Sequence, residues 1–335
     1  MPLSFLEYLP GISIQENSVA PPAPFQEIPA IFIPSSKEVQ TKFEQKFFKK
    51  GIRYLSATAI TTYLTCPLRF YFQYLAELPE PQQLEEQMEG GTFGSVLHNT
   101  LEILYQPFEG KRVQPRDIHA MQAKLPKAIY AAFENAKIGW GERLTGMNYL
   151  FREVIESLCI KILEGDEKEA PFTVEHVEAD RLFEQVLEVE GYPFVLNGTF
   201  DRVDYQPALE AMRILDYKTG RVAIPSKYQL ADSFKRVNGE KKKDGWKEGF
   251  QGHLYAWLFH KKYPTSRVTV GFYVVRGLSG GVQYLYQGAP FSDDALETFE
   301  QSLGELLVEM YEGDYEQTSR EEDCLYCPYK GICGR

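Results

Sequence analysis

The spacing of apolar residues divides the chain into a mostly helical first half and a second half that opens with strands. Apolar residues recur every three or four positions in the helical stretches, and the two-residue alternation typical of strands begins at residue 172. The pattern predicts helices at 37–50, 57–75, 91–108, 115–137, 147–164, 248–262 and 292–312. It predicts strands within 172–191, 192–206 and 211–220, and a hairpin at 267–287.

The order of these elements predicts an α/β (α+β) fold in which helices flank a mixed sheet. Seven of the 20 prolines lie within residues 1–36, where they disfavour regular helix and favour an extended arm. We therefore expect residues 1–50 to form a proline-rich arm with a short helix, acting as a linker or docking segment. Residues 51–335 form the main domain, which includes a cysteine-rich tail at 320–335.

The composition is that of an ordinary globular protein, with 335 residues, 44% hydrophobic and 25% charged. The chain has no run of about 18 apolar residues and does not open with a basic and then apolar signal, so we expect a cytoplasmic protein without membrane contact. Its net charge of −11 disfavours non-specific binding to nucleic acid. Any contact with DNA would therefore be local or mediated by metal ions.

Two charged residues stand at the end of an apolar strand in the stretch "RILDYKTGR", where Asp216 and Lys218 flank a tyrosine. Asp201, fifteen residues earlier in "NGTFDRVDY", would lie next to Asp216 if the two strands pair. Two close carboxylates repel each other unless a divalent cation such as Mg²⁺ or Mn²⁺ lies between them. Lys218 would point to the same side as Asp216 and could orient a water molecule. The simpler alternative is a surface ion pair.

Two helical stretches carry further polar residues with this chemistry. In "GTFGSVLH", His98 follows Gly94 by four residues, and Glu102 stands one turn further along the same face. In "QGHLY", Gln251 and Tyr255 share one face of a helix. Each of these signals is weak alone, since a single helical histidine is usually structural.

Taken in order, these stretches resemble the RecB-like branch of the PD-(D/E)XK nuclease superfamily. That family shows the motifs G-x-x-x-H, G-x-x-D-R-x-D, D-Y-K-[ST]-G and Q-x-x-x-Y, and this chain has "GSVLH", "GTFDRVD", "DYKTG" and "QGHLY". The resemblance covers residues 55–335. It implies a restriction-endonuclease-like core, a mixed sheet of four or five strands with helices on both sides.

The resemblance also implies roles for individual residues. The metal ligands would be His98, Asp201, Asp216 and the carbonyl of Tyr217. Lys218 would be the catalytic lysine, and Gln251 and Tyr255 would position the DNA strand. Asp204 also matches the family pattern, for which we expect a salt bridge with Arg202 or Arg221, and Glu102 would be an outer partner of the site.

Three of the five cysteines form a C-x2-C-x5-C pattern near the end of the chain, at Cys324, Cys327 and Cys333. Cys66 is the best candidate for a fourth ligand, because Cys159 lies within an apolar helix and is expected to be a core thiol. Four thiolates suit either Zn²⁺ or an iron–sulfur cluster. One upstream cysteine paired with a C-terminal triplet resembles the pattern of AddB-type helicase–nuclease subunits and of CRISPR-adaptation nucleases. This resemblance implies a [4Fe–4S] cluster that joins the two ends of the domain.

Two other signals are weaker. The stretch "GLSGG" at 277–281 matches a serine-hydrolase motif, but it joins two strands and not a strand and a helix, so we predict a turn. The loop at 235–247 carries six positive and two negative charges and is either a solvated loop or a flap that contacts phosphates.

These observations predict a Mg²⁺- or Mn²⁺-dependent DNA nuclease, acting as an exonuclease. Its expected partners are DNA and a helicase domain or subunit, in an AddB-like helicase–nuclease of double-strand break repair and recombination. Three alternatives remain: a catalytically silent nuclease fold that only clamps DNA, a CRISPR-adaptation or RNA-directed nuclease, and a structural subunit held by zinc.

Overall fold

The computed structural model describes residues 30–80, 90–137, 147–179, 182–227, 230–234, 244–275 and 281–335. The helices are α1 (Lys37–Phe47), α2 (Ala57–Thr65), α3 (Pro67–Phe70), α4 (Gly90–Tyr105), α5 (Pro115–Asn135), α6 (Met147–Glu169), α7 (Leu230–Phe234), α8 (Trp246–Lys262) and α9 (Asp293–Glu312). The strands are β1 (Phe32–Ile33), β2 (Lys111–Val113), β3 (Phe172–Ala179), β4 (Gln185–Val189), β5 (Tyr192–Leu196), β6 (Phe200–Gln206), β7 (Ala211–Lys218), β8 (Val268–Val274), β9 (Gln283–Tyr284) and β10 (Tyr315–Glu316).

The main sheet is mixed, as the sequence predicts. Within the described ranges it has six strands in the order β2-β3-β6-β7-β8-β9, one or two more than the resemblance implies. Its strands pair antiparallel except for β7 and β8, which are parallel. The parallel pair requires a crossover, and α8 lies in the connection between its two strands.

Helices cover both faces of this sheet and bury two separate cores. One core packs residues of α1, α2, α8 and α9 against the sheet, and it contains Ile214 of β7. The other packs α4, α5 and α6 against the opposite face and contains the next residue, Leu215. Successive side chains of a strand point to opposite faces, so β7 is buried on both sides. The arrangement confirms the predicted α/β architecture with flanking helices.

Two predicted elements are divided in the structure. The helix expected at 57–75 begins after the cap residue Ser56, as expected, but it is broken at Cys66, which has extended backbone (φ −157°, ψ 105°) before Pro67 opens α3. A residue that precedes proline avoids the helical region, which explains the break. The stretch at 172–206 forms four strands where two were expected, because β4 and β5 make a separate hairpin.

The two ends of the described chain meet. Strand β1 pairs antiparallel with β10, with Phe32 opposite Glu316 and Ile33 opposite Tyr315. Three predicted features lie mostly outside the described residues: the proline-rich arm, the basic loop at 235–247 and the "GLSGG" turn.

Within the described residues, no helix combines the length and apolar character needed to span a membrane.

Candidate metal and active site

Strands β6 and β7 bring two aspartates together at one edge of the sheet. Arg202 lies opposite Leu215, so the next pair in this antiparallel register is Asp201 opposite Asp216. The backbone N–H of Tyr217 donates a hydrogen bond of 2.7 Å to Oδ2 of Asp201. Both aspartates are buried, with exposed fractions of 7% and 5%. The pairing of these two strands is the one that the sequence predicts.

His98 reaches the same point from α4. Its Nδ1 is 3.2 Å from Oδ1 of Asp201, and its Nε2 is 2.8 Å from the carbonyl oxygen of Tyr217. Gly94, one turn earlier, lets the helix approach, because a Cβ there would lie 3.3 Å from Oγ1 of Thr219. The glycine of the "GSVLH" motif is thus explained by the close approach of Thr219 to the helix.

Lys218, Gln251 and Tyr255 form a connected set beside Asp216. The ammonium of Lys218 is 2.8 Å from Oδ2 of Asp216 and donates to Oε1 of Gln251 at 2.7 Å. The amide nitrogen of Gln251 donates to Oδ1 of Asp216 at 2.9 Å and to the hydroxyl of Tyr255 at 2.7 Å. The structure therefore brings together all of the candidate active-site residues that the sequence singles out.

Glu178, on β3, is a further member of the site that sequence reasoning missed. Val177 lies opposite Arg202 and Ala179 opposite Phe200, which places Glu178 opposite Asp201. Ligand atoms of His98, Glu178 and Asp201 all lie within 4.8 Å of one another, so the three could hold a metal ion. Glu178 has φ of +46°, a left-handed conformation that is unusual for a residue other than glycine and is often found at functional sites.

The electrostatics of this cluster favour a cation. Burial lowers the pKa of His98, but its hydrogen bond to Asp201 and the charges of Asp201 and Asp216 outweigh burial and raise it to about 9. Burial and the charge of Asp201 raise the pKa of Glu178 to about 7. Burial also raises the pKa of Asp216, although the charge of Lys218 opposes it. Crowded, poorly hydrated carboxylates are the environment in which hard divalent cations bind.

Asp204 and Glu102 have other partners. Asp204 accepts hydrogen bonds from Nε of Arg202 at 3.1 Å and from Nη2 of Arg213 at 2.7 Å. The expected salt bridge is therefore made with Arg202, and Arg213 is a further partner. Glu102 accepts a hydrogen bond of 2.8 Å from the side chain of Asn99.

The structure also brings the four predicted cysteine ligands into one neighbourhood. Cys66, Cys327 and Cys333 contribute to a small apolar cluster with Leu68, Phe72 and Tyr329. Burial, together with the charges of Cys66, Cys327 and Cys324, raises the pKa of Cys333 to about 11. The backbone N–H of Arg69 donates to Sγ of Cys66 at 3.4 Å. Cys159 is fully buried in α6, as predicted.

The mixed sheet, its two helical layers and the carboxylates at the end of β7 define the restriction-endonuclease-like class of nuclease folds. A sequence model of the PD-(D/E)XK nuclease superfamily matches residues 54–334, so the chain belongs to that superfamily. Nucleases of this superfamily use divalent metal ions, and the His98, Glu178 and Asp201 group could hold one.

The chain is also similar to a curated protein, an ATP-dependent helicase/deoxyribonuclease subunit from Carboxydothermus hydrogenoformans (strain ATCC BAA-161 / DSM 6008 / Z-2901). The two are 28% identical over 182 residues, which is 51% of this chain and 16% of the relative. The chain thus matches about a sixth of that protein's length. Among solved structures, the crystal structure of SSO0001 matches with a TM-score of 0.28 and 12% identity, over 82% of this chain and 94% of the other.

Proposed function

We propose that the protein is a metal-dependent DNA nuclease that hydrolyses phosphodiester bonds. The observation that carries this proposal is the convergence of Asp201, Asp216, His98 and Lys218 at the end of β7, where two carboxylates, an imidazole and an ammonium are held within hydrogen-bonding distance of neighbouring groups. A structural ion pair alone would need neither the histidine nor the second aspartate.

The donor set fits a hard divalent cation, Mg²⁺ or Mn²⁺. Asp201, Asp216 and the carbonyl of Tyr217 supply oxygen ligands, and His98 supplies a nitrogen ligand; Glu178 adds a further carboxylate. When bound, the cation polarises the scissile phosphate and lowers the pKa of a water molecule. Ligation requires a neutral imidazole, so cation binding would release the proton that His98 otherwise carries.

Lys218 is the residue that we assign to orienting the attacking water and to stabilising negative charge at the phosphate. Asp216 and Gln251 hold its ammonium from two sides, which fixes the direction of its remaining proton. Tyr255 holds Gln251 in turn, so these two residues position the lysine as well as the DNA strand.

We further propose that Cys66, Cys324, Cys327 and Cys333 hold a [4Fe–4S] cluster. The resemblance to AddB-type subunits and the common neighbourhood of the four cysteines support this proposal. A zinc ion bound by the same four thiolates is the alternative. Iron and zinc analysis, with absorbance at about 400 nm, distinguishes the two metals.

The biological context that we propose is double-strand break repair and recombination, as the exonuclease part of an AddB-like helicase–nuclease. The similarity to a helicase/deoxyribonuclease subunit supports this context. The helicase would then be another domain or subunit, with DNA as the common partner.

Digestion of end-labelled linear DNA, single- and double-stranded, with Mg²⁺ or Mn²⁺ tests the proposed activity. We expect metal-dependent cleavage that Asp216→Asn and Lys218→Ala abolish and that Asp294→Asn, at the exposed start of α9, leaves intact. The pattern of labelled products distinguishes exonuclease from endonuclease action. Folded, cluster-loaded protein that binds DNA without cleaving it under any of these conditions would instead be a DNA clamp.

A further inference from the structure

A buried network of charged groups lies directly behind the candidate metal site. Its centre is Asp166 on α6, whose carboxylate accepts hydrogen bonds from both terminal nitrogens of Arg202, at 2.8 and 2.7 Å. The hydroxyls of Tyr105 and Tyr273 also donate to it, at 2.5 and 2.7 Å. Asp166 is 0% exposed and Arg202 is 1% exposed. Four hydrogen bonds therefore fix this carboxylate in place.

Stability alone does not explain such a network. Burial raises the pKa of Asp166, but the charge and hydrogen bonds of Arg202 outweigh burial and hold the pKa below its usual value, so the carboxylate stays ionised. Removing two charges from water costs free energy that their attraction often does not recover, and apolar replacements of buried ion pairs can be stabilising. A fixed ionic network inside a core is therefore a reason to look for something that it positions.

Arg202 connects this network to the metal site through Tyr217. Nη1 of Arg202 donates to the hydroxyl of Tyr217 at 3.2 Å, and the ring of Tyr217 stacks on that of Tyr273 with centroids 5.6 Å apart. The backbone of Tyr217 contacts the other side: its N–H binds Asp201 at 2.7 Å and its carbonyl oxygen lies 2.8 Å from Nε2 of His98. One residue thus joins the network to two candidate metal ligands.

We propose that Asp166 is a positioning residue for the metal site, because through Arg202 it holds Tyr217 and thereby orients the Tyr217 carbonyl and the Asp201 carboxylate. This inference rests on the proposed metal-dependent nuclease. Asp166 lies outside all of the motifs found in the sequence. Groups that orient metal ligands in this way commonly change metal affinity about 10- to 100-fold when they are removed.

A matched pair of tyrosine variants tests the proposal. Tyr217→Phe and Tyr273→Phe each remove one buried hydroxyl from the same network, but only the first acts on the residue whose backbone reaches the metal ligands. We expect the two variants to lose similar thermal stability. In a titration of the full chain followed by the electron paramagnetic resonance of free Mn²⁺, we expect Tyr217→Phe to weaken binding about 10-fold. Tyr273→Phe keeps both hydrogen bonds from Arg202 to Asp166 and the stacked ring, so we expect it to weaken binding much less.

Asp166→Asn tests the centre of the network directly and is combined with both tyrosine variants. If Asp166 acts through Tyr217, the loss of Mn²⁺ affinity caused by Asp166→Asn will be largely absent in the Tyr217→Phe background and fully present in the Tyr273→Phe background. Asp166→Asn leaves the buried Arg202 with a weaker partner, so this variant could fail to fold. In that case the comparison of Tyr217→Phe with Tyr273→Phe decides the question.

The outcomes separate this inference from the proposed function. Equal Mn²⁺ affinities of Tyr217→Phe and Tyr273→Phe, in a protein whose wild type binds Mn²⁺ and cleaves DNA, would overturn the positioning role and leave the nuclease standing. A wild type that binds no Mn²⁺ would overturn both.

Discussion

Three carboxylates occupy matching positions on three neighbouring strands: Glu178 on β3, Asp201 on β6 and Asp216 on β7. Two of them could be predicted from the sequence, because each follows a strand within a recognisable motif. Glu178 could not, since its place beside Asp201 depends on a register that includes a shift between Val174 and His176. A one-residue change in register would have turned it away from the site.

We expect Glu178→Gln to weaken metal binding while making the metal-free protein more stable. Burial and the neighbouring Asp201 disfavour the Glu178 carboxylate, and a neutral amide removes that repulsion. The Mn²⁺ concentration for half-maximal cleavage should rise about 10-fold, and the thermal unfolding midpoint without metal should increase. Glu175→Gln, three residues earlier on the same strand, is the control; equal effects of the two substitutions would exclude a specific role for Glu178.

His253 should contribute a loss of stability in mild acid, opposite in sign to the contribution of Glu178, whose pKa is raised. His253 is fully buried on α8, and burial lowers its pKa to about 4, although its hydrogen bond to the carbonyl of Gly249 opposes the shift. His253 binds a proton near pH 6.5 in the unfolded state and near pH 4 in the folded state. As the pH falls between these values, this residue therefore lowers the free energy of unfolding by up to about 3 kcal/mol.

Urea unfolding at several pH values measures this loss. His253→Phe should remove this contribution, so that between about pH 6.5 and 4 acid lowers its free energy of unfolding less than that of the wild type, whatever the substitution does to stability at neutral pH. His119→Gln, at a side chain that is 62% exposed, should leave the slope as in the wild type. An unchanged slope in His253→Phe would show that His253 does not make the protein sensitive to acid.

At the scale of elements, α8 is held in place by the connection between β5 and β6. A Cβ at Gly198 would lie 2.6 Å from Cε1 of Tyr255, so only glycine allows the ring to pack there. Tyr255 also contacts Phe200, with ring centroids 4.7 Å apart. The glycine of "NGTFDRVD" therefore positions the helix that carries Gln251.

Gly198→Ala should accordingly reduce stability by about 1–3 kcal/mol through overpacking. The variant should also cleave DNA more slowly than the wild type at temperatures where both are fully folded. The reason is that Tyr255 holds Gln251, and Gln251 holds Lys218. Gly91→Ala is the control, since a Cβ at that position meets no atom within 4 Å. Full activity of folded Gly198→Ala would show that cleavage does not depend on the position of Tyr255.

Much of the fold follows from local signals in the sequence, and its exceptions have physical causes. Long periodic stretches gave α1, α5, α6, α8 and α9 within a few residues, because their apolar faces are continuous. The break at Cys66 was missed although its cause, the proline at position 67, is local. The separate β4–β5 hairpin was missed because it depends on how the chain packs against distant residues. The buried network around Asp166 was missed for the same reason: a charged residue in a helix is expected to be exposed until its partner Arg202 is placed beside it.

At the scale of the whole molecule, the cysteine neighbourhood joins the beginning and the end of the described chain. Gln317 makes the connection: its backbone N–H donates to the carbonyl of Ile31, its Oε1 accepts from the N–H of Ile31, and its Nε2 donates to the carbonyl of Cys333 at 3.5 Å. Ile31 and Ile33 also pack against the cluster that contains Cys66. The position of strand β1 thus depends on the cysteine-rich tail.

Loss of one of the proposed cysteine ligands should therefore release the ends of the chain before the core. In Cys66→Ala, we expect absorbance at about 400 nm to disappear and hydrogen exchange to rise at β1 and β10, while β7 and β8 keep their protection. Cys159→Ala, which removes a buried thiol from α6, should retain the absorbance and the protection of both ends. A colourless wild type with one zinc per chain would show that the ends are joined by zinc.

The most direct test of the metal site is calorimetric titration of the metal-free wild type with Mn²⁺, beside Asp201→Asn, Asp216→Asn and the control Asp294→Asn. We predict saturable binding by the wild type and the control, and binding at least about 10-fold weaker in both site variants. Wild-type affinity in Asp201→Asn and Asp216→Asn would contradict the assignment of this site as the metal centre of the nuclease.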